Sequence, residues 1–178
     1  MVAVPEVRTD APAVLAGARS PLRGRRVVAA AVSTMELLRP ESDLLRLLEG
    51  SAEVDLLVAT DDAPGRGAAA EDDGEAADAA LAEVRRRVDA LQLPGLRLHR
   101  LGLPAPLTAG AHDDLVAALS ELVGFDPERG VYCLGPAVSP PDPSRAALDG
   151  AVRRIAQVYG IPLLRYRCLE LVVVGDDG

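Results

Sequence analysis

The residues able to do chemistry in this chain fall mostly at the ends of apolar runs. Ser33, Thr34 and Glu36 follow the run from Arg26 to Val32. Asp61 and Asp62 follow Val54–Thr60, His112-Asp113-Asp114 opens a helical stretch, and Asp142 sits in a proline-rich loop. Carboxylates can do general acid and base work, and His with Asp can hold a metal. Ser33 and Thr34 would form a nucleophile pair only beside a base, and the sequence places no histidine near them. A serine where a helix begins more commonly caps it. His112, Asp113 and Asp114 are adjacent at a helix start, where acidic groups favour the macrodipole, so they read as helix-start charge and not as a ligand set. His99, between Leu98 and Arg100, reads as a satisfied strand histidine. Cys133, between Tyr132 and Leu134, lacks an electropositive setting and reads as a buried, inert thiol.

These groups need elements to hold them. Arg26–Val32 is apolar on both faces, as a central parallel strand must be. Met35–Leu38 starts a helical turn that Pro40 interrupts, and a helix restarts after Pro40-Glu41-Ser42-Asp43 and runs through Leu48 to Gly50. Val54–Thr60 is a second strand. Its loop, Asp61 through Gly74, reads as the most mobile segment. A long helix follows, with Leu81, Val84, Val88 and Leu91 on one face. Within it, Arg85-Arg86-Arg87 beside Asp89 reads as a solvated face. Leu96–Leu101 is a third strand, and the next helix begins near His112 with Leu115, Val116, Leu119, Leu122 and Val123 as its stripe. Gly130–Leu134 is a fourth strand, Ser144–Tyr159 a helix, and Leu163–Val174 supplies a final strand or two. A short helix is expected near Pro12–Ala18. Strands alternating with helices predict a Rossmann-like α/β fold, a parallel sheet with helices on both faces. The expected organisation is an arm over 1–25, one domain over 26–174 and a tail over 175–178.

Composition narrows the function. With 178 residues and nearly half of them hydrophobic, the chain can bury a core. Its net charge of −8 argues against nucleic acid or an anionic membrane as partner. All basic residues other than the two histidines are arginine, which with the Ala and Gly richness points to a high-GC bacterial genome. Without lysine there is no Walker loop, and no Gly-x-Gly-x-x-Gly follows the first strand, which disfavours a dinucleotide cofactor. No apolar run approaches the ~18 residues of a membrane span, and no secretory signal pattern opens the chain. Cys133 and Cys168 read as reduced thiols, so a cytoplasmic location is expected.

The order of segments resembles the LmbE/PIG-L family of zinc-dependent N-deacetylases from about Arg23 to Leu171. The family's Pro-His-Pro-Asp-Asp-Glu falls on Ala31-Val32-Ser33-Thr34-Met35-Glu36, and its Thr-Asp-Gly on Thr60-Asp61-Asp62. In the family's long-helix Arg-x-x-Glu, Ala80 stands for the arginine and Glu83 matches the glutamate. Its Leu-Gly-Leu-Pro is matched by Leu101-Gly102-Leu103-Pro104. Its His-Pro-Asp-His falls on Pro140-Pro141-Asp142-Pro143, followed by Ala146-Ala147 with one residue more than the family has. The resemblance implies the family's Rossmann-like scaffold. It also implies that the three zinc ligands fall on Val32, Met35 and Pro143 and the general base on Thr34. Valine and proline carry no side-chain donor, and a thioether is a poor zinc ligand. Of the carboxylates in the two metal-binding motifs, Glu36 and Asp142 remain.

The expectation is therefore a deacetylase-like domain without a metal site or cofactor: a pseudoenzyme or partner subunit, or a protein repurposed in a bacterial specialised biosynthetic pathway. Val32, Ser33, Thr34, Met35, Asp61 and Asp62 are its expected ligand-binding residues. An apolar crevice lined by Val32, Met35 and Pro140–Pro143 would suit a small molecule or a protein partner. The alternative is an active amide hydrolase, or another pathway enzyme, with Glu36, Asp61 and Asp142 in a rebuilt site and His112 as a further candidate ligand. A third reading is a homo-oligomeric structural domain without a ligand. Family members run on past the last matched strand, so a chain complete at this length would lack part of the pocket wall.

Overall fold

The computed structural model describes residues 20–60, 74–138 and 142–167. Among the described residues five strands form one sheet: β1 (Arg26–Ala31), β2 (Glu53–Thr60), β3 (Leu96–Leu103), β4 (Tyr132–Pro136) and β5 (Leu163–Tyr166). Their order is β3-β2-β1-β4-β5, and every pairing is parallel. The helices are α1 (Met35–Leu38), α2 (Asp43–Leu48), α3 (Gly74–Ala90), α4 (His112–Val123) and α5 (Pro143–Tyr159).

Side chains alternate across a strand, so each apolar strand feeds two cores. Val28 and Ala30 of β1 and Leu57 and Ala59 of β2 pack with Leu115 and Leu119 of α4 and Leu148, Val152 and Ile155 of α5. Val27, Ala29 and Ala31 pack with Leu37, Leu44 and Leu48 of α1 and α2 and with Val88 of α3. This two-sided burial explains why β1 and β2 read as continuous apolar runs. Leu22, which falls in the expected arm, is fully buried in the second core, and Ser20 Oγ donates to the Leu47 carbonyl at 3.0 Å.

Two strands differ from expectation by more than one residue. The fourth strand begins at Tyr132 and runs to Pro136, because Gly130 adopts φ +94° and Val131 N–H closes a turn onto the Glu128 carbonyl. Pro136 closes the strand, a position where proline costs little of the ladder. The third strand extends to Leu103 through a register slip. β3 carries one residue more than β2 between the Val58↔Arg100 and Thr60↔Leu103 pairs, and Gly102 there has φ +70°. That left-handed conformation suits glycine and gives a bulge its bend.

The expected helix near Pro12–Ala18, the loop from Asp61 to Asp73, and the chain from Cys168 onward lie outside the described residues. No helix among the described residues is long and apolar enough to cross a membrane.

Candidate functional site

From β1 the chain steps one way across the sheet, through β2 to β3, then returns to the other side of β1 as β4. In such sheets the crevice lies where the direction reverses, outside the carboxyl ends of the flanking strands. Here that is the space above the ends of β1 and β4. Val32, Ser33, Thr34 and Met35 leave β1 there, and Ala137 and Val138 leave β4.

The β1 loop is firmly held. Thr60 donates to the Val32 carbonyl from its backbone N–H at 3.0 Å and from Oγ1 at 2.7 Å. Thr34 is buried and serves as the N-cap position of α1 without a side-chain cap bond, so neither it nor Ser33 fills the expected capping role. Ser42 does cap α2: its Oγ accepts from Leu45 N–H at 3.1 Å and donates to the Glu36 carbonyl at 2.6 Å. Val32 and Ser33 are half-buried. Met35 is 39% exposed and Val138 40%, so the lips of the crevice are apolar.

Glu36 turns inward and is 7% exposed. Its Oε2 accepts from the Val32 N–H at 3.0 Å and from the Tyr166 hydroxyl at 2.6 Å. Its Oε1 faces Arg145 Nε at 3.3 Å. The Tyr166 hydroxyl also lies 3.1 Å from the Ala30 carbonyl. One ion pair therefore ties the β1 loop to the first turn of α5 and the end of β5. Asp142 does other work: its Oδ1 accepts from Arg145 N–H at 2.9 Å and caps α5, with Pro143 as the first helical residue. Asp61 and Asp62 lie outside the described residues, as do Pro140 and Pro141.

Arg145 and Tyr166 were not singled out by sequence. They sit 109 and 130 residues from Glu36, and only the fold brings them together. The one local signal was an arginine at the start of a helix, where a cation is disfavoured unless it has a partner.

A second charged cluster lies at the other end of the sheet. Asp55 is buried in β2 and receives Arg97 Nε at 2.7 Å, His99 Nε2 at 3.0 Å and an Arg26 amine at 3.2 Å. Burial alone would raise its pKa. The hydrogen bonds from Arg97, His99 and Arg26, with the Arg97 charge, outweigh burial and lower it to about 2. His99 is thus a partnered strand histidine. Its signal in the sequence was an Arg-x-His alternation in β3 beside a lone aspartate in an apolar strand.

The remaining candidates stand apart from the crevice. Cys133 is buried in β4, and burial pushes its thiol up to about 11, so it is no nucleophile at neutral pH. Asp113 and Asp114 are exposed in the first turn of α4. Arg85, Arg86 and Arg87 are exposed on α3. A concavity of about 560 Å³ between α3 and β3 includes no residue from the ends of β1 and β4. Among the described residues no three His, Cys, Asp or Glu side chains gather as a metal-holding group.

Compared by sequence, the chain matches no family model and no curated protein. Compared by structure, it is similar to a deacetylase of the teicoplanin biosynthesis pathway, with a TM-score of 0.53 and 15% identity over 81% of this chain and 67% of that one. It is similar to the conserved protein TT1542 from Thermus thermophilus, with a TM-score of 0.50 and 19% identity over 84% and 68%. It also resembles the N,N'-diacetylchitobiose deacetylase of Pyrococcus horikoshii, with a TM-score of 0.50 and 15% identity over 80% of this chain and 60% of that one. At these identities the likeness speaks for the fold: a five-stranded parallel α/β sheet of the kind found in LmbE-like deacetylases.

Proposed function

We propose that this chain uses a deacetylase-like scaffold for binding and does not carry out zinc-dependent deacetylation. Its crevice between β1 and β4 would take the apolar part of a small molecule or a side chain of a protein partner. The observation that carries this reading is Glu36. The one acidic side chain of the β1 loop is buried and paired with Arg145 and Tyr166, so it does not face a substrate.

The donor chemistry agrees. A catalytic zinc needs about three N, O or S ligands and an open position for water. By the sequence resemblance, the positions of such ligands would fall on Val32, Met35 and Pro143 and the base position on Thr34, which is buried. These residues do not fit a zinc ion, and no hydrolytic step is routed through one. Asp142 is occupied as the cap of α5. Met35 and Val138 at the lips favour an apolar guest, which a concave, mostly apolar site with few polar groups would recognise. One structural neighbour is a deacetylase of the teicoplanin biosynthesis pathway, and a role in a bacterial specialised pathway is part of this proposal.

Elemental analysis of the purified protein tests the reading, together with acetate release from N,N'-diacetylchitobiose in added zinc. The expected result is substoichiometric zinc, removed by mild chelation, and no acetate above a protein-free control. One zinc per chain that survives chelation, with acetate release that depends on it, would overturn the proposal.

A further inference from the structure

Three hydrogen-bond donors from three separate elements converge on one buried carboxylate beyond the carboxyl end of β1. They are the Val32 N–H at 3.0 Å, the Tyr166 hydroxyl at 2.6 Å and Arg145 Nε at 3.3 Å from Glu36. Arg145 and Tyr166 are each almost fully buried. Charge-assisted bonds of this kind are the strong ones, and a cation, a hydroxyl and a backbone N–H suit a carboxylate.

The backbone of each donor residue is also held by contacts that do not involve Glu36. Val32 is fixed by the two bonds from Thr60 to its carbonyl. Arg145 sits in the first turn of α5, where Asp142 caps its backbone N–H. Tyr166 is paired in β5 with Pro136, and its carbonyl accepts from Ala137 N–H at 2.8 Å. The backbone that carries each donor is therefore placed without help from the side chain the donors surround.

We propose that Val32 N–H, Tyr166 and Arg145 form a preorganised carboxylate-binding hole of which Glu36 is the resident ligand. The hole takes a free small monocarboxylate when that side chain is shortened. In the native chain the resident carboxylate keeps acidic ligands off the crevice floor, which leaves the crevice to neutral or apolar guests. The hole stands on its own geometry and does not require the binding role proposed above.

The ligand is defined by length. Glu36→Ala removes Cγ and the carboxyl group, the two carbons of acetate. Glu36→Gly also removes Cβ, which leaves the three carbons of propionate. The test is thermal melting of the full chain carrying either variant, in sodium acetate, propionate or chloride at matched ionic strength.

Acetate at about a hundred times its dissociation constant should raise the Tm of the alanine variant by roughly 5–10 °C. Propionate should do less there and more in the glycine variant. The wild-type chain should melt alike in all three salts. Adding Tyr166→Phe to Glu36→Ala should weaken the affinity for acetate about tenfold, the loss of one hydrogen bond to a charge, and so roughly halve the Tm rise at the same acetate concentration.

Equal melting of the alanine variant in acetate and chloride would overturn the proposal. So would a wild-type response as large as the variant's, or no dependence on ligand length. If the alanine variant is recovered only unfolded, refolding yield in acetate against chloride reads the same equilibrium, and equal yields count against the hole. Glu36→Gln keeps the side chain's shape, fills the hole and should show no acetate response; a response in that variant would also count against it.

Discussion

Glu36 and Asp55 are both buried carboxylates paired with arginine, one at each end of the same sheet. Their surroundings differ. The Glu36–Arg145 pair is sealed, with both side chains 5% exposed. Asp55 is as deeply placed at 5%, yet its main partner, Arg97, is 55% exposed. At the carboxyl end, two charges and a phenol lie inside the protein beneath the β1 loop. At the amino end, arginines reach in from the surface to neutralise one strand aspartate. In the first case the pairing ties the end of β1 to α5 and β5. In the second it makes a polar residue tolerable in a central strand, because a buried charge without a partner is costly.

The largest effect should follow from breaking the sealed pair. Arg145→Met leaves Glu36 buried without its counter-ion and is expected to cost about 3–5 kcal/mol. Urea denaturation measures it, and a loss below 1 kcal/mol would erase the contrast with Asp55. A smaller effect is expected at Asp55. Its pKa falls from 3.8 to about 2 in the folded chain, and each unit corresponds to about 1.4 kcal/mol. A depressed carboxylate stabilises the fold above its unfolded pKa, and that stability is lost as pH falls toward the folded value. About 2 kcal/mol should therefore disappear between roughly pH 4 and pH 2. Asp55→Asn should lower stability at neutral pH by a similar amount and flatten that acid limb. An acid limb as steep in the variant as in the parent would assign it to other carboxylates. The smallest effect is expected at Asp149, a third buried carboxylate, which also receives Arg165 Nε at 2.8 Å. Arg153 pairs with it one helical turn away from an exposed position. Arg153→Ala should cost at most about 0.5 kcal/mol in the same denaturation experiment. A much larger loss would show that surface arginines can anchor a carboxylate as firmly as buried ones.

The fold was legible because strand and helix periods are local. The apolar runs at Arg26–Ala31 and Glu53–Thr60 appear within a residue of their expected bounds, and the break at Pro40 separates α1 from α2 as expected. The misplacement of the fourth strand came from taking Gly130 as a strand residue when its positive φ makes it a turn. The floor of the crevice was only half legible. The positions of Val32, Thr34, Met35 and Glu36 after the first strand were clear, but the partners of Glu36 were not. A carboxylate beside a strand end looks the same in sequence whether it faces a ligand or an arginine from a distant helix. Asp55 was missed for a related reason: a single aspartate in an apolar run is invisible to hydrophobic periodicity, and its partners lie on neighbouring strands.

The bulge at Gly102 has a consequence for the molecule's solubility. Among the described residues β3 is an outermost strand, and one side of its backbone has no neighbour in the sheet. A straight, apolar outer strand is a template onto which a second chain can add. Here Arg97, His99 and Arg100 place charge or polarity along most of the strand, and the extra residue at Gly102 bends the apolar stretch Leu101–Leu103 out of regular register. The same glycine that turns the chain toward α4 also deprives a would-be fibril of a flat edge to grow on.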